Sequence, residues 1–126
     1  ITDLRVSGND IKGYTNMVFA GIEFISSQVD ATAMTHFHLD AYLPSGSTLR
    51  VKLVDFGPNG VFGGSDDTEQ ELTFNAGTTP AITPGAWSSL DIPLSSFTNL
   101  TGRANLAQMT LAGTNTLFVD NVYLHR

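Results

Sequence analysis

The ten residues Met34–Leu43 carry the side chains most able to do chemistry in this chain. Polar and apolar residues alternate along them, which is the period-2 pattern of a β-strand with two different faces. The polar face presents two imidazoles, a carboxylate and a phenol, from His36, His38, Asp40 and Tyr42. All four groups form hydrogen bonds with neutral polar ligands. The pattern therefore predicts a binding surface on the outside of a sheet, with the apolar face turned to a core.

Three further segments, 49–53, 69–74 and 106–111, show the same alternation. If their strands share one sheet with 34–43, outward side chains on neighbouring strands lie about 5 Å apart and can act together on one ligand. The alternative is an ordinary solvated face on which cationic and carboxylate side chains pair. The ligand-binding candidates that these segments add are Arg50, Lys52, Glu71 and Gln108, with Thr73 and Thr110 beside them.

A long loop rich in glycine and acidic residues follows at 55–69. Loops of this length inside a compact domain are commonly functional. Asp55, Asn59 and Asp66 occupy positions one, five and twelve of an EF-hand-like spacing, although the residue at position three is a glycine. Three interpretations stay open: an acidic solvated loop, a calcium site, or a wall that offers Phe62 to a ligand.

Asp120 is the second acidic residue of interest, because it shares its parity with Phe118, Val122 and Leu124. The alternation predicts that its side chain points into the core with theirs. A buried carboxylate requires a cation or a set of hydrogen bonds from backbone amides. The chain contains no cysteine, so a metal must be held by oxygen or imidazole. We therefore expect a structural calcium ion with Asp120 as a ligand, and Asp55, Asn59 and Asp66 as the alternative set.

Catalytic motifs are absent from the sequence. There is no nucleophile elbow, zinc-protease motif, phosphate-binding loop or dinucleotide fingerprint. His36 and His38 share a face and could move protons or bind a metal, but no apolar enclosure surrounds them in the sequence. We therefore assign no catalytic residue and expect that the protein is not an enzyme. Trp87 is interpreted as a core or edge packing residue rather than a sugar-stacking platform.

Composition limits the class of partner. The chain has 126 residues, 12 acidic and 6 basic side chains and a formal net charge of −6, which disfavours nucleic acid and anionic membranes as partners. Charged residues make up 14% and glycines number 12, a balance typical of an extracellular β-rich domain. No apolar run is long enough to span a membrane. Since the chain starts at Ile1 on strand-like sequence, we expect a single domain, 1–126, excised from a larger protein.

Turn signals divide the chain into nine strand-like segments, and no window shows a sustained helical period apart from one short turn at 94–100. Many short strands at this spacing predict an all-β fold, namely a two-sheet antiparallel β-sandwich of jelly-roll type. The nine segments are 3–6, 10–14, 17–25, 34–43, 48–56, 69–75, 87–93, 105–112 and 116–124.

Several motifs are similar to those of a known family. They are Trp-x-x-x-x-Ile-Pro-Leu at 87–94, Val-Asp-Asn-Val-Tyr at 119–123, and the stretches 35–42, 54–57 and 63–69. Together they resemble the β-sandwich carbohydrate-binding modules of bacterial secreted glycoside hydrolases. The resemblance implies sugar binding without catalysis, commonly with a structural calcium ion. It also implies a secreted, extracellular bacterial protein in which a catalytic domain is attached to the module.

The function predicted from the sequence is therefore non-catalytic binding of a polysaccharide, a β-glucan or related plant or algal glycan, by a monomeric module. Tyr42 is the expected stacking platform, and the histidines and the other polar candidates supply hydrogen bonds. One alternative is a structural β-sandwich that packs against a catalytic domain. Another is a small polysaccharide-degrading enzyme that uses His36, His38 or Tyr42.

Overall fold

A computed structural model describes residues 2–6, 9–23, 27–44, 48–61, 63 and 66–126 of the chain. Within these ranges the chain forms seven strands: β1 (Thr2–Val6), β2 (Asn9–Glu23), β3 (His36–Tyr42), β4 (Leu49–Asp55), β5 (Thr68–Phe74), β6 (Trp87–Pro93) and β7 (Leu106–His125). A short 3₁₀ helix, Leu94–Ser96, follows β6. In the same part of the chain, no helix has the length and apolarity needed to cross a membrane.

The 20-residue strand β7 belongs to both sheets of the fold. Its first half pairs with β4 from Leu106 to Gly113, and its second half pairs with β3 from Phe118 to His125. β5 extends the first layer beyond β4, and β6 extends the second beyond β3. β2 follows β7 through both halves, and β1 pairs with the start of β2. Every pairing is antiparallel, which confirms the predicted two-sheet antiparallel β-sandwich.

The structure joins strands that the sequence analysis separated. Segment 10–14 and residues 17–23 fall in the single strand β2, while residues 24 and 25 lie outside the described residues. Residues 106–112 and segment 116–124 fall in β7. The predicted turn at 113–115 is wrong, because Gly113 pairs with Leu49 and Asn115 pairs with Met17. Register shifts in the β2–β7 ladder absorb the irregularity as bulges instead. Glycine and asparagine within a strand mark such a bulge as readily as a turn.

Apolar side chains from both layers meet in one core. Leu39 and Leu90 of the second layer and Leu53 and Leu111 of the first are at most 2% exposed and belong to the same cluster. Fully burying a side chain of this size contributes about 1.5–3 kcal/mol. The turn after β6 adds Phe97, which is fully buried as the sequence predicted. The core thus fixes which face of each strand is left to solvent.

Asp55, at the end of β4, is a charged residue within this apolar frame and is only 1% exposed. Its Oδ1 accepts a hydrogen bond from the backbone N–H of Gly57 at 2.7 Å, and its Oδ2 accepts one from Asn105 N–H at 2.8 Å. The backbone N–H of Phe56 also donates to the Asn105 carbonyl at 3.0 Å. Asp55 therefore ties the loop after β4 to the segment that leads into β7.

Replacement of Asp55 by alanine should lower the free energy of unfolding by about 3 kcal/mol, because two backbone donors would lose a charged acceptor. Urea unfolding followed by tryptophan fluorescence measures the loss. Glu71→Ala, at an exposed position of β5, is the control and should change stability by less than about 0.5 kcal/mol. Equal stability of the two variants would show that water satisfies these amides without the carboxylate.

Candidate functional site

The outward side chains of β6, β3 and the second half of β7 form one surface, which we name the aromatic–imidazole face. The strand register arranges them in four cross-strand rows. From one end to the other, the rows are Trp87, Tyr42 and Phe118; Ser89, Asp40 and Asp120; Asp91, His38 and Tyr123; and Pro93, His36 and His125.

The first row is a strip of three aromatic rings. Tyr42 lies between Trp87 and Phe118, with ring centroids 5.6 Å and 6.0 Å away and ring planes inclined by 49° and 54°. Trp87 is 45% exposed although it is the only tryptophan in the chain. From the edge strand β6, the Trp87 ring contacts Tyr42 but does not enter the core. The interpretation of Trp87 as a packing residue therefore explains this contact but not the exposure of the ring. Tyr42 and Phe118 are half-buried beside it, and contiguous apolar surface marks an interaction site more often than a single exposed apolar residue does.

His38 occupies the middle of the aromatic–imidazole face and is only 8% exposed. Its ring stacks on Tyr123 with centroids 4.7 Å apart. Its Nε2 lies 2.9 Å from Asp40 Oδ1, and its Nδ1 lies 3.2 Å from Asp91 Oδ1. Asp40 Oδ2 in turn accepts a hydrogen bond from Asn121 Nδ2 at 2.8 Å. The polar groups of three strands therefore form one connected network.

The last row brings two histidines together with a carboxylate from the neighbouring row. The rings of His36 and His125 stack with centroids 4.9 Å apart, and His125 Nε2 lies 2.6 Å from Asp91 Oδ1. The hydrogen bond to His125 is the main cause that lowers the pKa of Asp91 below 3.8. The same hydrogen bond raises the pKa of His125 above 6.5, with help from the Arg126 carbonyl.

A bulge in β7 turns Tyr123 and His125 outward. The register shifts between the pairs His38–Tyr123 and Asp40–Asp120, and Asn121 in between has a φ of +51°. Asparagine tolerates this left-handed conformation better than most residues. Before the bulge Phe118 is an outward residue, and strict alternation would have turned Tyr123 inward. The sequence analysis did not name Tyr123, His125 or Asp91 as site residues. The signal that could have shown the bulge is the Asp120-Asn121 pair.

The predicted inward orientation of Asp120 is wrong. The buried residues on this part of β7 are Leu117 and Val119, whereas Asp120 is partly exposed and lies in the row of Asp40. Its Oδ1 accepts a hydrogen bond from the adjacent Asn121 N–H at 2.9 Å. Since the carboxylate is not in the core, it has no need of a cation to offset burial, and the reason for placing calcium there is lost.

The polar candidates on the other strands do not join the aromatic–imidazole face. Arg50, Lys52, Glu71 and Gln108 lie on the outer face of the other layer, around β4, β5 and the first half of β7. The premise that all these strands share one layer is therefore wrong. Lys52 Nζ lies 3.6 Å from a Glu69 oxygen, as expected for a solvated face with paired charges. Phe62 lies outside the described residues.

The loop at 55–69 contains the better-suited calcium ligands. Both carboxylate oxygens of Asp55 accept backbone amides, and Asn59 Oδ1 accepts the Val61 N–H at 2.9 Å. Asp66 Oδ1 and Asp67 Oδ1, in contrast, are inaccessible to solvent and have no hydrogen-bond partner within the described part of the chain. Buried carboxylate oxygens without donors are the ligands that calcium prefers. The residues present thus fit a calcium ion at Asp66 and Asp67.

Gly57 allows this arrangement. Its φ is +75°, and a Cβ atom at this position would lie 2.4 Å from the Asp66 carbonyl oxygen and 2.7 Å from Asp66 Oδ2. No other residue type permits Asp66 to approach the backbone so closely. The glycine that weakened the match to an EF-hand spacing is therefore required by the packing of the loop.

Solved carbohydrate-binding modules share this fold. A family 28 module specific for non-crystalline cellulose is 18% identical, with a TM-score of 0.64 over 99% of this chain and 79% of that one. A family 11 module from Clostridium thermocellum, in complex with a β-1,3-1,4-mixed-linked tetrasaccharide, is 17% identical, with a TM-score of 0.64 over 98% and 80%. A family 30 module is 8% identical, with a TM-score of 0.72 over 97% and 70%.

No protein-family model and no curated protein matches the chain. At such low identities the structural likeness establishes the fold, which is the β-sandwich of carbohydrate-binding modules of families 11, 28 and 30. Function must be argued from the side chains of the site, because one fold serves many functions.

The ion pair of His125 and Asp91 predicts a specific dependence on pH. Because the pKa of His125 is raised in the folded state, protonated His125 stabilises that state below pH 6.5. This stabilisation is lost as His125 loses its proton at higher pH. Because the pKa of Asp91 is lowered in the folded state, the Asp91 carboxylate stabilises that state above pH 3.8. This stabilisation is lost as Asp91 is protonated at lower pH. The pair therefore contributes fully between these two values.

In metal-free buffer, NMR titration of the imidazoles should place the His125 midpoint above 6.5, and Asp91→Asn should move it down toward 6.5. The same variant should lower the thermal midpoint more at about pH 5.5 than at about pH 8.5. Asp120→Asn removes a carboxylate from the same face but not from this pair, and it should leave the His125 midpoint almost unchanged. An unshifted midpoint in Asp91→Asn would contradict the assignment.

Proposed function

We propose that this chain is a non-catalytic carbohydrate-binding module that binds a polysaccharide on the aromatic–imidazole face. The observation that supports the proposal most strongly is the aromatic row of exposed Trp87 and half-buried Tyr42 and Phe118 beside a network of imidazole and carboxylate groups. A sugar ring has apolar C–H patches and a rim of hydroxyls, so its binding requires aromatic surfaces and hydrogen-bonding groups side by side.

The dimensions of the face suit an extended chain rather than a single sugar. Tyr42 and His36 mark its two ends on β3 and are separated by six residues, a distance of about 20 Å along a strand. The rings lie at one end, and the hydrogen-bonding groups continue from Asp40 to His125. We infer that a β-glucan or related glycan lies along the strands, with its first ring on the aromatic row. The tetrasaccharide complex of the family 11 module supports this ligand class.

Our proposal includes the setting of the module. In it, the module is part of a secreted bacterial glycoside hydrolase and holds the catalytic domain close to its polysaccharide. The net charge of −6 suits an uncharged glycan better than an acidic one. A structural role in packing against a catalytic domain would not require an exposed tryptophan beside an ordered polar network. We therefore prefer the binding function.

Tyr42→Ala and Trp87→Ala should each weaken binding of mixed-linked β-glucan at least tenfold, which corresponds to about 1.4 kcal/mol, because each removes an aromatic surface that stacks on sugar. Affinity electrophoresis against a panel of polysaccharides, followed by calorimetry with an oligosaccharide, measures the loss. Circular dichroism establishes that each variant is folded.

Gln108→Ala is the matched control, since Gln108 was a ligand candidate in the sequence and lies on the other layer, 3.3 Å from Glu23 Oε1. It should bind with wild-type affinity. If Gln108→Ala loses binding while Tyr42→Ala and Trp87→Ala retain it, the glycan binds on the face of β4 and β5. If the wild type binds no polysaccharide of the panel, the structural accessory role becomes the better account.

We also propose that a structural calcium ion is held by Asp66 and Asp67. The support is the pair of buried carboxylate oxygens without donors and the close approach that Gly57 permits. A bound calcium ion would neutralise two adjacent carboxylates, and the loop between β4 and β5 would then be fixed to the end of the sandwich.

Removal of calcium by a chelator should lower the thermal midpoint by several degrees, since a ligand at 100 times its dissociation constant stabilises by about 2.7 kcal/mol. Asp66→Asn and Asp67→Asn should each abolish the difference between calcium and chelator, whereas Asp120→Asn should preserve it. If Asp120→Asn alone removes the response, the ion is bound at the site first predicted from the sequence.

A further inference from the structure

All three histidines of the chain lie on the aromatic–imidazole face, and two of them form a cluster with a carboxylate at the end opposite the aromatic row. His36, Asp91 and His125 each offer one ligand atom, and these atoms lie within 4.8 Å of one another. The residues come from the adjacent strands β3, β6 and β7, so three backbone segments held by ladder hydrogen bonds fix their spacing. Such rigid support is what a preformed metal site requires.

The contacts of both histidines leave the ring lone pair on Nε2, but the rings stack with planes inclined by 9°, so one ring must rotate before both lone pairs point at one ion. His36 Nδ1 lies 2.8 Å from Thr35 Oγ1, and His125 Nδ1 lies 3.3 Å from the Arg126 carbonyl oxygen. When Nδ1–H donates to an oxygen, the lone pair of the ring is on Nε2. Metal-bound histidines in proteins typically have this second hydrogen bond, which fixes the tautomer and the ring orientation.

We propose that His36, Asp91 and His125 bind a divalent transition-metal ion of the zinc type through Nε2 of both histidines and Oδ1 of Asp91. Two imidazoles and a carboxylate are a ligand set that zinc accepts, with water in the remaining position. Ligand atoms at about 2.0–2.2 Å from a shared ion lie no more than about 4.4 Å apart, so binding requires a small contraction of the cluster and rotation of one of the two stacked rings. The ion takes the place of the proton between His125 Nε2 and Asp91 Oδ1, which lie 2.6 Å apart.

His38 is not a ligand of this site. It is 8% exposed, and its two ring nitrogens are directed at Asp40 Oδ1 and Asp91 Oδ1. Its Nδ1 contacts the same Asp91 Oδ1 that His125 Nε2 contacts. The chain therefore supplies its own control, a third histidine in contact with the same carboxylate. The metal proposal does not rest on the glycan proposal: the cluster lies at the far end of the proposed glycan path, six residues along β3 from Tyr42, and it is tested with Zn²⁺ alone.

Isothermal titration with Zn²⁺ in saturating calcium tests the proposal. The wild type should bind one ion per chain, and His36→Ala, His125→Ala and Asp91→Asn should each weaken binding at least tenfold. Glu71→Gln, a matched loss of one carboxylate on the other layer, should bind as the wild type does, and His38→Gln should weaken binding less than His125→Ala does. Binding should weaken as the pH is lowered, because protons compete with the metal ion for its ligands.

An NMR titration of the wild type provides a measurement that does not depend on the stability of any variant. Substoichiometric Zn²⁺ should shift the ring nitrogens of His36 and His125 together and should change those of His38 less. Shifts confined to one histidine, or equal weakening by His38→Gln and His125→Ala, would overturn the assignment. Binding that Asp91→Asn leaves intact would show only a surface histidine pair and would overturn it as well.

Discussion

The strand β7 is the constraint on which the rest of the structure depends. It pairs with β4 over one half and with β3 over the other, so a single backbone sets the alignment of both layers. Its buried residues Leu111, Leu117 and Val119 keep one inward parity through the passage from one layer to the next. The bulge at Asn121 then reverses that parity for the last residues. The position of this reversal decides which side chains the second layer presents to solvent.

The aromatic–imidazole face follows from that reversal. Because Tyr123 and His125 turn outward, each covers a histidine of β3, and the stacked pairs shield the polar network from part of the solvent. Asp40 and Asp91 then hold His38 between them. The result is a surface with two chemically different ends, aromatic at Tyr42 and ionic at Asp91. A neutral glycan would therefore stack at the aromatic end and extend toward the ionic end, where a cation would bind, and the core beneath would stay unchanged.

The outer faces of the two layers carry different kinds of side chains. The outer face of β4 and β5 has the charged pairs of an ordinary solvated surface, exemplified by Lys52 and Glu69, which add little to stability. The stability of that layer comes from its inner face and from Asp55, whose two hydrogen bonds attach the loop to β7. The outer face of β3 carries instead stacked rings and the hydrogen-bond network around His38. Solved modules of low identity share the fold because its inner faces require only apolar alternation.

The sequence by itself determined the β-sandwich, the inward residues of β3 and β4, and the presence of His36, His38, Asp40 and Tyr42 on one face, because period-2 alternation is a local property of a strand. Only the tertiary structure decided which strands share a layer. Arg50 and His36 alternate in the same way, yet they face opposite sides of the sandwich, and alternation contains no information on that choice. Asp120 was misplaced because its parity was read from Phe118, which faces outward, and from Leu124, which follows the extra residue at Asn121 and has the opposite parity.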